Sequence, residues 1–229
     1  MRPDLAVALD LPSAREALRL VDAAGPAGTW YKVGPVLYVR EGPAIVRELL
    51  VRGKSVFLDL KWHDIPNTVA GAVAAAADLG VHLATVHLAG GPAMLEAAAR
   101  ARGAALKLAG VGVLTSLDAA GYGAVVGRTV STTLAEQQRL AALVVEAGLD
   151  AMVCSASEVP AVRAAIGADR MVVVPGIRRS GEAVGDQARA AAPGEAVRAG
   201  ADLLVVGRPI TAAADPALAL AEFRRDLAA

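Results

Sequence analysis

Charge of one sign is missing from this chain. Lys and Arg number 23, Asp and Glu 23, and the pI is near 6.8. No long-range field draws such a surface to nucleic acid or to an anionic membrane, so neither is expected as a partner, and any anion must be held by a local site. Cysteine is nearly absent. Cys154 stands alone, which excludes an internal disulfide and fits a reducing compartment. Residues 1–4 carry no signal-peptide pattern, and a cytoplasmic location is expected. Long hydrophobic runs are lacking too. The longest uncharged one, 79–95, is interrupted by His82, His87, Gly90, Gly91 and Pro92, so no transmembrane helix is expected. Three histidines without H-x-H or H-E-x-x-H spacing argue against a zinc site. Aromatics make up 3% against 55% hydrophobic residues, so the core is aliphatic and rich in Ala.

What is present is alternation. Short β-branched or aliphatic runs at 5–9, 29–33, 55–60, 82–86, 106–114, 150–153, 170–174 and 201–206 predict strands. Between them lie longer Ala- and Leu-rich runs of helical period. Ser13 with Glu16 and Ser155 with Glu158 have capping-box spacing. Gly42-Pro43 breaks the helix before residue 52, Pro66 starts one, and Asp215-Pro216 caps and starts the last. Residues 117–127 are expected to be irregular, and 177–192 to form a polar loop in which Gly181 and Gly185 suit a lid. Eight βα units with no linker predict one α/β domain over 1–229, a closed (β/α)8 TIM barrel. The competing architecture is a doubly wound open sheet. Against it, no G-x-G-x-x-G follows the first strand.

The chain is organised around Ser55-Val56-Phe57-Leu58-Asp59-Leu60-Lys61-Trp62-His63-Asp64-Ile65-Pro66-Asn67-Thr68. Val56, Phe57 and Leu58 read as a strand covered on both faces. Residues i and i+2 of a strand share a face, so Asp59 and Lys61 point the same way, and Asp64 lies past the strand end. Such a group is either an ion pair that satisfies buried charge or the chemistry that barrels place at the carboxyl ends of their strands. The other strand ends carry Asp10, Lys32, His87, Thr115-Ser116, Ser155, Pro175-Gly176 and Gly207-Arg208. Lys32, Asp59, Lys61 and Asp64 would meet over one mouth as alternating charges. An ammonium among carboxylates keeps its charge and donates a proton, whereas a Schiff-base aldolase would use Lys32 or Lys61 as a neutral amine. Mg2+ between Asp59 and Asp64 would compete with Lys61 for those oxygens.

A second signal concerns anions. Barrels often bind phosphate with the loops after strands seven and eight. Here those loops supply Arg178, Arg179 and Gln187, and the Gly207 amide with Arg208. Arg178 and Arg179 read equally well as solvated loop charges. His82 reads as structural, His63 as orienting the turn or joining the neighbouring charges, His87 equally as a polar residue satisfied within the barrel or a catalytic one, and Cys154, Met94, Met152 and Met171 as packing residues. A nucleotide-binding barrel without catalysis is the reading outside enzymology.

Asp59-x-Lys61-x-x-Asp64-Ile65-Pro66-Asn67-Thr68 resembles the signature of the orotidine 5′-phosphate decarboxylases, in their compact bacterial branch. The resemblance runs nearly end to end, through Ala8-Leu9-Asp10, Tyr31-Lys32-Val33-Gly34, Leu114-Thr115-Ser116, Pro175-Gly176-Ile177-Arg178, Asp186-Gln187-Ala188-Arg189 and Val206-Gly207-Arg208-Pro209-Ile210. It implies a cofactor-free and metal-free conversion of orotidine 5′-phosphate to UMP and CO2, the last step of UMP synthesis. Lys61 would protonate C6 of the pyrimidine, and Asp59, Lys32 and Asp64 would complete the charged network. Asp10 and Lys32 would bond the ribose hydroxyls. Ser116, with Thr115 as the second candidate, would face the pyrimidine, and Arg178, Gln187, Gly207 and Arg208 would hold the phosphate. Asp64, Ile65 and Thr68 would reach into the neighbouring site of a homodimer. The chain departs from the family at Arg179-Ser180-Gly181, where a proline is common. The alternative within the same superfamily is a Mg2+-dependent sugar-phosphate decarboxylase or synthase, which shares D-x-K-x-x-D.

Overall fold

Alternating apolar strands need both faces covered, and the chain achieves this by closing its sheet on itself. In the computed structural model, which describes residues 3–179 and 191–227, eight strands run parallel in sequence order and the last pairs with the first. They are β1 (Asp4–Ala8), β2 (Trp30–Val33), β3 (Ser55–Trp62), β4 (Leu83–His87), β5 (Lys107–Val111), β6 (Ala151–Val153), β7 (Met171–Val174) and β8 (Leu203–Val206). The helices are α1 (Ala14–Ala24), α2 (Pro35–Glu41), α3 (Pro43–Val51), α4 (Pro66–Asp78), α5 (Gly91–Ala101), α6 (Ala119–Val126), α7 (Thr133–Glu146), α8 (Val159–Ile166), α9 (Pro193–Ala199), α10 (Arg208–Thr211) and α11 (Pro216–Asp226). This is the (β/α)8 barrel that the alternation predicts. None of the described helices is long and apolar enough to cross a membrane.

Strand parity divides the core in two. One set of side chains, including Ala6, Ala8, Phe57, Leu83, Ala109, Ala151, Met171, Val173, Leu203 and Val205, fills the barrel interior. Their neighbours in sequence, among them Leu5, Val7, Val56, Leu58, Ala84 and Val86, pack outward against the helices. Four alanines in the interior set leave room, so that the space above them is open at the carboxyl ends of the strands.

Local chemistry sets the boundaries. Gly42 separates α2 from α3 at a φ of 59°, which favours glycine. Ser13 accepts from the Glu16 amide, and Asp215 from the Leu218 amide, at the starts of α1 and α11. The Glu158 carboxylate accepts from the Ser155 amide, the backward arm of the predicted capping box.

Two expectations are corrected. β5 ends at Val111 and does not continue to 114. Its partner β6 has three residues, matched to Ala109, Gly110 and Val111, so no ladder remains for residues 112–114. The Val113 amide instead donates to the Gln137 side-chain oxygen at 3.3 Å. Residues 117–127, expected to be irregular, contain α6. Gly121 and Gly123 mask it in the sequence, since each glycine costs about 1 kcal/mol in a helix interior. Asp118 caps it by accepting from the Gly121 amide at 2.7 Å, and its Tyr122 is buried. A Cβ at Gly123 would stand 2.9 Å from the Arg128 carbonyl oxygen, so close backbone approach explains that glycine.

Candidate active site

Continuing the inward parity upward places the polar residues. Ala6 and Ala8 lead to Asp10, Phe57 leads to Asp59 and Lys61, Leu83 leads to Thr85 and His87, and Val205 leads to Gly207. Asp10, Asp59, Lys61 and Gly207 of this set face a cavity of about 480 Å3 at the carboxyl ends of the strands. Its wall includes Asp10, Lys32, Asp59, Lys61, Thr115, Arg178, Gly207 and Arg208.

The charged side of the mouth is a chain of contacts. Lys32 Nζ lies 2.9 Å from Asp10 Oδ1 and 3.6 Å from Asp59 Oδ2. Lys61 Nζ lies 2.9 Å from Asp59 Oδ1. Asp59 is the buried centre, with its side chain 12% exposed, while Lys61 reaches further out at 37%. Burial alone would raise the Asp59 pKa, but the Lys32 and Lys61 ammoniums, with hydrogen bonds from Lys61 and Thr85, hold it below the ordinary carboxylate value. Asp59 is therefore an anion at neutral pH. Gly34 belongs to the same arrangement. A Cβ there would stand 2.7 Å from Asp10 Oδ1 and 3.1 Å from Lys32 Nζ.

β3 delivers Asp59 and Lys61 through a broken ladder. Leu58 pairs with Ala84, so regular pairing would set Leu60 opposite Val86, yet Trp62 stands there, two residues later. Within the excess, Lys61 has a φ of 50°, the one positive value among the described residues other than glycine. That conformation costs roughly 1–3 kcal/mol and persists where surroundings over-determine it. The surroundings here are supplied by Thr85, which is fully buried. Its hydroxyl accepts from the Lys61 amide at 2.8 Å and donates to Asp59 Oδ1 at 3.0 Å. Sequence reading missed Thr85: its place between Leu83 and His87 marks it as inward-facing, but nothing in the sequence shows what it bonds.

The opposite side of the mouth is apolar below and cationic above. Val111, Val113, Leu114, Val153, Cys154, Val173 and Pro175 form the wall. Cys154 packs there as a small buried residue, as read from the sequence. At the end of β7, Gly176 turns at a φ of 78°, and Arg178 is buried with Nη1 donating to the Ile177 carbonyl at 2.8 Å. At the end of β8, Gly207 leads into α10, which also brings Thr211 to the cavity.

Other predicted residues lie elsewhere. Arg179 is not part of the anion pocket: it pairs with Glu222 and, at 2.9 Å, with Asp226, and lies over the Phe223 ring. Thr115 lines the cavity, whereas the neighbouring Ser116 is outside its wall. Asp64, Ile65 and Thr68 are exposed and also outside that wall. Asp64 Oδ1 accepts from the Ile65 amide at 2.6 Å, and Ile65 is 67% exposed. Gln187, the motif around it, and the lid glycines Gly181 and Gly185 lie outside the described residues. His63 and His87 stack with ring centroids 5.3 Å apart. Burial, with His63 and Lys61 nearby, lowers the His87 pKa. His82 has the structural place expected of it, with Nδ1 accepting from the Val56 amide at 3.3 Å.

Comparison with known proteins adds three findings. The family model described as "Orotidine 5'-phosphate decarboxylase / HUMPS family" matches residues 3–223. The orotidine 5′-phosphate decarboxylase of Anaeromyxobacter sp. (strain K) is 51% identical over 221 residues, 96% of either chain, and that of Halorhodospira halophila is 50% identical over 232 residues, 99% of this chain and 97% of its own. The crystal structure of the orotidine 5′-phosphate decarboxylase from Lactobacillus acidophilus superposes with a TM-score of 0.88 at 32% identity, with all of both chains covered.

Proposed function

The chain belongs to the orotidine 5′-phosphate decarboxylase / HUMPS family and decarboxylates orotidine 5′-phosphate in pyrimidine nucleotide synthesis, and from that premise we propose how its residues divide the work. The Mg2+-dependent alternative is not favoured by these relatives. One observation carries the division: Lys61 Nζ sits 2.9 Å from a buried Asp59 in the cavity whose far wall holds Arg178, Gly207 and Arg208.

Decarboxylation breaks the bond between C6 and the carboxyl carbon and leaves the electron pair on C6, where no adjacent carbonyl delocalises it. The Lys61 ammonium stabilises that pair electrostatically and then gives C6 its proton, so UMP and CO2 leave and solvent restores the lysine proton. Asp59 faces the substrate carboxylate and, with Lys32, fixes the ammonium in place. Asp10 and Lys32 take the ribose hydroxyls, and the Thr115-Ser116 pair, of which Thr115 lines the cavity, serves the pyrimidine. Arg178, Gln187, Gly207 and Arg208 hold the phosphate, and this remote binding orients the ring over Lys61. Asp64, Ile65 and Thr68 complete the site of a second copy in a homodimer. Their exposure away from their own cavity supports that reading. The enzyme works in the cytoplasm, a location that a step of pyrimidine nucleotide synthesis supports.

The test is turnover of orotidine 5′-phosphate followed by ultraviolet absorbance in the presence of EDTA. Undiminished turnover is expected, and a folded protein with none overturns the reading. Mixing Lys61→Ala and Asp64→Ala chains should regenerate activity that neither has alone. Failure to do so removes the shared site.

A further inference from the structure

The decarboxylation uses the Lys61 ammonium and leaves open what holds the rest of that residue. β3 carries two residues more than its partner ladder accommodates between Leu58 and Trp62, so the Lys61 amide has a side chain as its acceptor where a regular strand would offer a carbonyl. We propose that Thr85 is a positioning residue for the decarboxylation, a hydroxyl bridge that ties the Lys61 backbone to the Asp59 carboxylate and so fixes where the ammonium points. The inference rests on the reading of Lys61 as the proton donor.

The geometry closes a ring. The Lys61 amide donates to Thr85 Oγ1 at 2.8 Å, Thr85 Oγ1 donates to Asp59 Oδ1 at 3.0 Å, and that same oxygen accepts from Lys61 Nζ at 2.9 Å. Lys61 is thus gripped at both ends through one carboxylate oxygen. An amide can only donate and an ionised carboxylate can only accept, so the single hydroxyl proton has one place to go. A hydroxyl is the smallest side-chain group that accepts from one and donates to the other. Thr85 is 0% exposed and outside the cavity wall, so it acts through Lys61 and Asp59. The left-handed φ of 50° at Lys61 gives the ring its purpose, because a residue in that conformation reverts to a commoner one when its tether is cut.

The test compares Thr85→Val, which keeps the shape without the hydroxyl, with Thr85→Ser, which keeps the hydroxyl. Thr85→Val is expected to lower kcat by about 10- to 100-fold, the effect of misplacing a reacting group by about 1 Å. KM should stay within about threefold, because every side chain assigned to substrate binding is still present and Asp59 keeps its Lys32 and Lys61 partners; Thr85→Ser should hold kcat within about threefold of wild type. In the same variants the Lys61 amide should lose hydrogen-exchange protection in Thr85→Val and retain it in Thr85→Ser. If Thr85→Val keeps kcat within about twofold, if Thr85→Ser falls as far, or if the amide is indifferent, the bridge does not position Lys61. Should Thr85→Val not fold, Thr85→Ser against Thr85→Cys decides, since the two share a shape and differ in hydrogen-bonding strength. Equal kcat in that pair sinks the proposal. A wild-type protein without turnover would count against the functional reading instead, and the amide measurement would still decide whether the tether exists.

Discussion

The two halves of the cavity are built on opposite principles. On the side of β1 to β4, Asp10, Lys32, Asp59 and Lys61 stand in one connected chain of opposite charges, each gripped by the next. On the side of β5 to β8, valines, Leu114, Cys154 and Pro175 make a dry wall, and cationic groups enter where β7 and β8 end. The first half is held together by mutual charge pairing, from the buried Asp59 out to the exposed Asp10. The second has shape and a few donors at its rim. Under the proposed function, the bond-breaking chemistry falls to Asp59 and Lys61 in the first half and phosphate recognition to the second, so that these two should separate in kinetics.

Three substitutions break or sharpen that separation. Lys61→Ala should have the largest effect, on kcat, of at least about 10⁴-fold, because it removes the group proposed as both general acid and electrostatic stabiliser. Circular dichroism should show the fold intact, and steady-state kinetics on orotidine 5′-phosphate reads the loss. Arg208→Ala should act in the other half, raising KM by about 10- to 100-fold, as expected for losing a hydrogen bond to a charged group. If kcat alone fell, the division between the halves would be wrong.

The smallest effect is on stability. Asp59 titrates below its ordinary value, so its contribution is fully present above the unfolded pKa of about 3.9 and is lost as pH falls through the lower folded value. Asp59→Asn should therefore be less stable at pH 7 by about 1–3 kcal/mol. The gap between wild type and variant should shrink below about pH 4. Urea unfolding at pH 7, 5 and 3 measures it. A gap that stays constant to pH 3 would show that the charge pairing contributes nothing.

Much of this is legible in the sequence. Strand parity and the alternation of βα units suffice for the barrel, and Asp10, Lys32, Asp59, Lys61, Thr115, Arg178, Gly207 and Arg208 all line one cavity. Thr85 is not legible as a tether, since a threonine inside a buried strand is ordinary β-branched packing until the two-residue excess in β3 is known. Arg178 and Arg179 look alike as neighbours. Only the fold brings Glu222 and Asp226 of α11 to the second of them. α6 is hidden by its glycines, and Ser116 and Thr115 cannot be separated without knowing where β5 leaves the sheet.

The seam of the barrel has a consequence for biosynthesis. β1 closes against β8, with Asp4 beside Leu203 and Val7 beside Val206, and Arg224 of α11 clasps Asp4 and Thr29. The first strand therefore emerges from the ribosome long before its final neighbour exists. Until residues 203–206 have been made, its unpaired edge must wait, and pairing over such sequence separations is slow. Crowded translation and premature termination are then hazards for this architecture, because a nascent chain that stops short of β8 leaves β1 without one of its two neighbours.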